Sequence, residues 1–262
     1  MPNGLPYNYG PAGILLFVGM SLFHIEIAFL LWSIVQLLIL CWVIQCLVSA
    51  RYVARKDVLT WFCVFIPTTI LAQDMLWGQI NIVLMAPCLD GVLIAHDRAK
   101  PILTGSLVWV ATAIKLTPGL FIIFFLISKR WKEAVWACLI GTAATLLAGI
   151  FFMEDFWRFF SDTLWNLSDR VALGENFDTL GNNSLQGTAA YLGITGWPVV
   201  VAVRVTAVAG LAAAVYINHR SGLLPAMLCI GLLSPLLSPI SWIHHFVFML
   251  PALAYLWSRI KP

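Results

Sequence analysis

Basic residues on this chain come in clumps with long apolar runs between them. Eleven of the 15 lysines and arginines fall in five clusters: Arg51, Arg55 and Lys56; Arg98 and Lys100; Lys129, Arg130 and Lys132; Arg220; Arg259 and Lys261. Hydrophobic residues make up 61% of the sequence and charged residues 10%, with a mean hydropathy of +0.92. Soluble domains run at roughly 45–50% and 25%, and no soluble core needs so much apolar surface. The 262 residues leave room for about eight apolar segments, each of the ~20 residues that cross a bilayer core. The expected fold is therefore all-α: one polytopic membrane domain over residues 1–262, with about eight transmembrane or partial-span helices. A net charge of +3 is small and its cations are explained by topology, so nucleic acid is not expected as a partner. The six cysteines stand singly in apolar stretches, with no CxxC or metal-ligand spacing, and read as buried thiols.

Placing all five clusters in the cytoplasm requires an even number of crossings between neighbouring clusters. Between Lys56 and Arg98 this gives an outward span near Leu59 to Ala72, an outside turn over Gln73 to Gln79 and a return near Ile80 to Ala95. From Lys132 the chain leaves through Ala134 to Phe152 and returns through Trp197 to Ile217. The long external loop between them, about residues 154–196, holds Glu154, Asp155, Asp162, Asp169, Glu175 and Asp178, half of the 12 acids. Its start reads as an amphipathic interfacial helix. The last pair leaves through Leu223 to Leu237 and returns through His245 to Trp257. Between Lys100 and Lys129, about 28 residues are too few for two full crossings. Two short helices are predicted there, broken at Lys115-Leu116-Thr117-Pro118-Gly119, since such backbone is tolerated at membrane depth only beside a protein-lined or wet cavity. Met1 to Pro11 has no basic residue and belongs outside by charge, followed by a short apolar stretch, Ala12 to Phe23, and a full span, Ile25 to Ser49. An upstream helix is expected.

On this topology the external side collects Tyr7, Tyr9, Gln73, Asp74, Gln79, Asn81, Lys115, Asn182, Asn183, Ser184, Ser241, Trp242, His244 and His245. Polar and titratable groups at membrane depth are costly and usually mark a working site. Each has a plainer reading. His244 and His245 read as interfacial or as ligand-facing, and only one of two adjacent helical side chains faces a given ligand. A zinc pair wants i, i+4 spacing, so no metal is expected. Lys115 reads as a snorkelling lysine or as a point charge for phosphate. Gln79 and Asn81 either cap a helix or bind, and Trp242 is either a belt residue or a stacking surface. Arg204, inside a span, needs a partner or must reach outward. Asn182-Asn183-Ser184 is formally a glycosylation sequon. No GxGxxG, P-loop, GxSxG or HExxH sequence occurs, which leaves dinucleotide, kinase-like and serine-hydrolase readings without support.

Four segments in order, Trp77 to Gly91 (WGQINIVLMAPCLDG), Ala113 to Trp131 (AIKLTPGLFIIFFLISKRW), Arg170 to Gly187 (RVALGENFDTLGNNSLQG) and Ser238 to Pro251 (SPISWIHHFVFMLP), resemble glycosyltransferase family 87. So does the opening Leu5 to Phe17 (LPYNYGPAGILLF). The family comprises integral-membrane GT-C enzymes that include polyprenyl-phosphate-mannose-dependent alpha-1,2-mannosyltransferases. The resemblance implies a GT-C-like fold, a lipid-linked sugar donor, a glycolipid or glycan acceptor, and action at the outer face of the cell membrane with no cofactor. It implies His244 and His245 as catalytic candidates and Lys115 and Arg170 at the donor phosphate. Gln79, Asn81, Asn182, Asn183, Ser241 and Trp242 would then contact sugar or acceptor.

One departure stands out. Enzymes of this kind are expected to carry their catalytic acid in a first external loop after a first helix, whereas here Asp74 is an external acid in the wrong segment. The expectation is a family member shortened at its start and its end, and inactive as it stands. The competing reading is a transporter or lipid-handling protein with the same outward cavity, which would call for an internal repeat that the sequence lacks. A structural subunit glued by polar residues does not explain their collection on one side.

Overall fold

The computed structural model describes residues 9–93, 100–166 and 181–260. Among them the chain is helical, with no strand. In order the helices are α1 (Pro11–Phe17), α2 (Ile25–Ser49), α3 (Val58–Phe65), α4 (Thr69–Leu76), α5 (Asn81–Leu93), α6 (Pro101–Ile114), α7 (Gly119–Ile127), α8 (Trp131–Phe151), α9 (Met153–Arg158), α10 (Leu185–Tyr191), α11 (Trp197–Ser221), α12 (Leu223–Leu237) and α13 (Met249–Ile260). A short 3-10 turn, Ile243–Phe246, carries the two histidines between α12 and α13.

Three described helices, α2, α8 and α11, are long and apolar enough to cross a membrane. Each is free of proline beyond its first turn, so nothing interrupts its ladder of backbone bonds. On α11 only 6% of the most apolar stretch is buried, and its exposed face presents Val201, Val205 and Val208, a surface suited to acyl chains. The shorter α5, α6 and α12 fill the centre instead. Along α5 the buried side chains Ile82, Leu84, Met85, Leu89 and Val92 point in every direction, as expected of a helix enclosed on all sides.

The expected straight span from Leu59 to Ala72 is a correction. The chain bends by 67° between the 3-10 turn plus α3, Arg55–Phe65, and α4. Pro67 removes a backbone donor, and extended Thr68 starts a new helix, its hydroxyl accepting from the Leu71 amide at 3.3 Å. Between Lys100 and Lys129 the chain does form two short helices, α6 and α7, parted at Lys115 to Pro118. The interfacial segment begins as α9 and continues into a π-turn, Phe159–Thr163.

Close helix approach rests on small residues, as membrane interiors favour. A Cβ on Gly105 would meet the Glu133 carbonyl of α8, and one on Gly141 would fall inside the Trp109 indole of α6. Near the break, Phe121 of α7 packs against Phe248, ring centroids 5.7 Å apart. Arg204 lies exposed on α11, and among the described residues no hydrogen bond or ion pair reaches it.

Candidate active site

The site begins with a turn. Helix α4 ends where Gly78, at φ 58°, takes the left-handed conformation that glycine adopts without strain. The Gly78 amide returns to the Met75 carbonyl at 3.0 Å and the Gln79 amide to the Asp74 carbonyl at 2.7 Å, a glycine-terminated helix end. The reversal lays the start of α5 beside the end of α4. Asn81 then donates from Nδ2 to Asp74 Oδ1 at 2.7 Å, and the Ile82 amide donates to Asp74 Oδ2 at 3.3 Å. The cap that α5 receives thus comes from Asp74, and the side chains of Gln79 and Asn81 turn elsewhere. Gln36 from α2 completes the carboxylate's surroundings: with its amide nitrogen toward Asp74 it donates at 3.2 Å and accepts from Trp32 Nε1 at 2.9 Å. Asp74 and Gln36 are both 0% exposed, so these donors are what makes a buried carboxylate tolerable.

The second part is the break between α6 and α7. Lys115 is extended, and its amide closes α6 on the Ala111 carbonyl. Carbonyls freed by the interruption find partners from distant segments: Ile114 accepts from the Gly10 amide at 2.7 Å, and Thr117 accepts from Ser234 Oγ of α12 at 2.9 Å. That compensation is what allows irregular backbone at this depth. Lys115 Nζ donates to Asn81 Oδ1 at 2.9 Å, stands 3.3 Å from His245 Nε2 and lies 6.0 Å from the centroid of the Tyr9 ring. Tyr9 in turn donates weakly to Gln79 Oε1 at 3.4 Å. A cavity of about 40 Å³ touches Asn81, Thr117, Ser234 and His245, large enough for ordered water.

The third part is the histidine loop. His245 Nδ1 accepts from the Trp242 backbone amide at 3.3 Å. Since that amide only donates, the ring proton of a neutral His245 belongs on Nε2, the atom that faces Lys115. Two hydrogen-bearing nitrogens therefore converge, and an anionic oxygen is the group that satisfies both. His244 packs edge-on against His245 at 4.8 Å and lies parallel to the Trp242 indole at 6.5 Å, tilted by 4°. His244 Nδ1 and Ser241 Oγ are buried without a partner among the described residues.

Residues 181–184 fasten this loop. Asn182 Oδ1 accepts from the amides of Ser241 at 2.9 Å and Ser184 at 3.1 Å, while Nδ2 donates to the Pro239 carbonyl at 3.0 Å. Ser184 Oγ donates to the same carbonyl at 3.1 Å and accepts from the Gly187 amide at 3.0 Å, capping α10. Asn183 donates to the Gly181 carbonyl at 2.9 Å. Asn182, the sequon asparagine expected to meet a sugar, has its amide taken up by the backbone, a physical reason to assign it to holding the loop.

The structure thus brings Lys115, Asn81, His244, His245, Ser241 and Trp242 together, with Gln79 joined through Tyr9, and sets Asn182 and Asn183 behind them. Tyr7 and Arg170 lie outside the described residues, as do Asp169, Glu175 and Asp178. Sequence reasoning missed Gln36 and Trp32, and it left Asp74 without a role. A glutamine inside the apolar run of α2 was the available signal. Among the described residues no group of three or more His, Cys, Asp or Glu side chains is arranged to hold a metal ion.

Fold and site together define a helical membrane protein whose polar machinery is gathered where the α4–α5 turn, the α6–α7 break and the histidine loop meet. The chain belongs to glycosyltransferase family 87, whose family model matches residues 7–239. It is similar to a polyprenol-phosphate-mannose-dependent alpha-(1-2)-phosphatidylinositol pentamannoside mannosyltransferase of Mycolicibacterium smegmatis, 27% identical over 257 residues, covering 96% of this chain and 61% of the relative. It is also similar to the corresponding phosphatidylinositol mannoside mannosyltransferase of Mycobacterium tuberculosis, 28% identical over 271 residues, covering 95% of this chain and 61% of that protein. The chain spans about 61% of the length of these curated relatives. No solved structure matches it. Nothing in these likenesses favours a transporter.

Proposed function

We propose that this chain acts in the transfer of mannose from a polyprenyl-phosphate donor to a hydroxyl of a membrane glycolipid or glycan, of the phosphatidylinositol mannoside class, at the external face of the cell membrane. The observation that carries this reading is the approach of Lys115 Nζ to His245 Nε2 at 3.3 Å, two donors that share a need for one anionic acceptor. A lipid phosphate supplies that oxygen. The acceptor hydroxyl oxygen bonds to the anomeric carbon as the bond from that carbon to the phosphate oxygen breaks. The electron pair leaves on polyprenyl phosphate, where Lys115 and His245 stabilise it, and the hydroxyl proton passes to a base. Asp74 is not that base, because its carboxylate is sealed from any substrate. The resemblance puts the base on an acid of a first external loop. Gln79, Asn81 and Ser241 border the donor sugar, Trp242 stacks on a sugar face, and Arg170 adds positive charge at the phosphate.

The same reading treats residues 1–262 as one multi-pass domain with about eight full or partial spans and residues 154–196 as its external loop. Support comes from α2, α8 and α11 and from the polar groups gathered around Lys115. In a cysteine-free background, a membrane-impermeant maleimide should reach Tyr191→Cys from outside and leave Arg55→Cys unlabelled. For the activity, the chain in nanodiscs is incubated with radiolabelled polyprenyl-phosphate mannose and a phosphatidylinositol mannoside. Transfer, or saturable donor binding displaced by polyprenyl phosphate, supports the proposal. The absence of both transfer and binding refutes it.

A further inference from the structure

Asp74 is a buried carboxylate that the transfer chemistry does not use, yet three donors from two places in the chain, Gln36 on α2 and the start of α5, converge on it. Asn81 Nδ2 lies 2.7 Å from Oδ1, while the Ile82 amide at 3.3 Å and the Gln36 amide at 3.2 Å meet Oδ2. A carboxylate at 0% exposure is an expensive way to cap α5, which a serine or threonine caps at lower cost. What a carboxylate does that a hydroxyl cannot is accept from every side and donate to none. Asn81 sits between it and Lys115, and its amide has two unlike ends. The ammonium of Lys115 only donates, at 2.9 Å to Asn81 Oδ1. With an acceptor-only group on one side and a donor-only group on the other, the Asn81 amide has a single allowed orientation.

We propose that Asp74 is a positioning residue: it locks the Asn81 amide, and through that amide aims the Lys115 ammonium at the space shared with His245. The inference rests on the reading of Lys115 as the phosphate cation. Asp74 also supplies the negative charge that a half-buried ammonium needs nearby, one residue removed, so that the cation stays available to a phosphate instead of being consumed in a direct ion pair. Replacing it by asparagine puts an N–H among three donors. One of them must turn away, and Asn81 is the only one whose rotation presents a donor to Lys115.

The test is a double-mutant cycle on the chain in nanodiscs, using wild type, Asp74→Asn, Lys115→Met and the double variant. Affinity is measured for polyprenyl phosphate and for uncharged polyprenol, with melting temperature as the check on folding. The expected result is that each single variant weakens polyprenyl phosphate by about tenfold or more, the loss of one charge-assisted contact. The double variant is no weaker than Lys115→Met, and polyprenol affinity is unchanged throughout. Asp74→Asn with full phosphate affinity, with an additive loss in the Lys115→Met background, or with equal losses for both lipids overturns the positioning role. If Lys115→Met itself leaves phosphate affinity intact, the phosphate reading falls and the positioning role with it. Should Asp74→Asn not fold, Asn81→Ala takes its place in the same cycle: a phosphate-specific, non-additive loss supports the proposal and an additive one overturns it.

Discussion

Asn182→Ala tests whether the histidine loop is held from behind. The substitution removes the acceptor for the Ser241 and Ser184 amides, at 2.9 and 3.1 Å, and the donor to the Pro239 carbonyl at 3.0 Å. A net hydrogen bond contributes about 1 kcal/mol, and a buried donor left unsatisfied costs about 1–3 kcal/mol. Asn182 is half-buried, so water rescues part of the loss, and Ser184 keeps its own bond to Pro239. About 2–3 kcal/mol of local stability should disappear. Since Ser241 is itself fully buried, the effect should concentrate on residues 238–245 and spare α5, α6 and α8. Hydrogen–deuterium exchange read by peptide mass spectrometry in nanodiscs measures this. The population of the open loop should rise roughly 30- to 150-fold, with exchange in α8 unchanged. Exchange in residues 238–245 indistinguishable from wild type, or a rise spread evenly over the bundle, would show that Asn182 is no fastening.

Other sites give sharp expectations. Gly141→Val places a side chain inside the Trp109 indole; it should cost at least about 3 kcal/mol, read as loss of monodisperse protein in detergent, while Gly19→Ala, where a Cβ meets nothing, should be neutral. Gln36→Leu removes a donor from Asp74 and should lower stability by about 1–3 kcal/mol in a detergent melt. Ser234→Ala leaves the Thr117 carbonyl at the α6–α7 break short of its partner, for about 1 kcal/mol; unchanged melting would mean that water already serves that carbonyl.

Local chemistry was legible in the residues, and long-range pairing was not. The Lys115 to Pro118 break could be read because proline and glycine fall in the middle of a segment too short for two crossings, a purely local argument. The Pro67 bend escapes a sequence reading because residues 59–72 are apolar and the charge clusters call for a crossing there, although Pro67 and the Thr68 cap both mark the interruption. The resemblance implies a sugar contact for Asn182, and an asparagine advertises hydrogen-bonding capacity without naming its partner. Apart from the nearby Ser184 amide, its partners lie 57 and 59 residues away. Asp74 was set aside as misplaced by a rule about where a catalytic acid belongs, and its actual neighbours, Gln36 and Asn81, come from opposite sides along the chain. The sequence reading has only one of the twin histidines facing a given ligand. The 3-10 turn sets their rings edge to face, and His245 reaches Lys115 while His244 rests beside Trp242.

The measurement closest to the central claim is the affinity of the nanodisc-embedded chain for polyprenyl phosphate, compared among wild type, His245→Ala and Lys115→Met by competition with a fluorescent lipid phosphate. Saturable binding in wild type that falls about tenfold or more in each variant is the predicted outcome. Equal affinity in all three would contradict it.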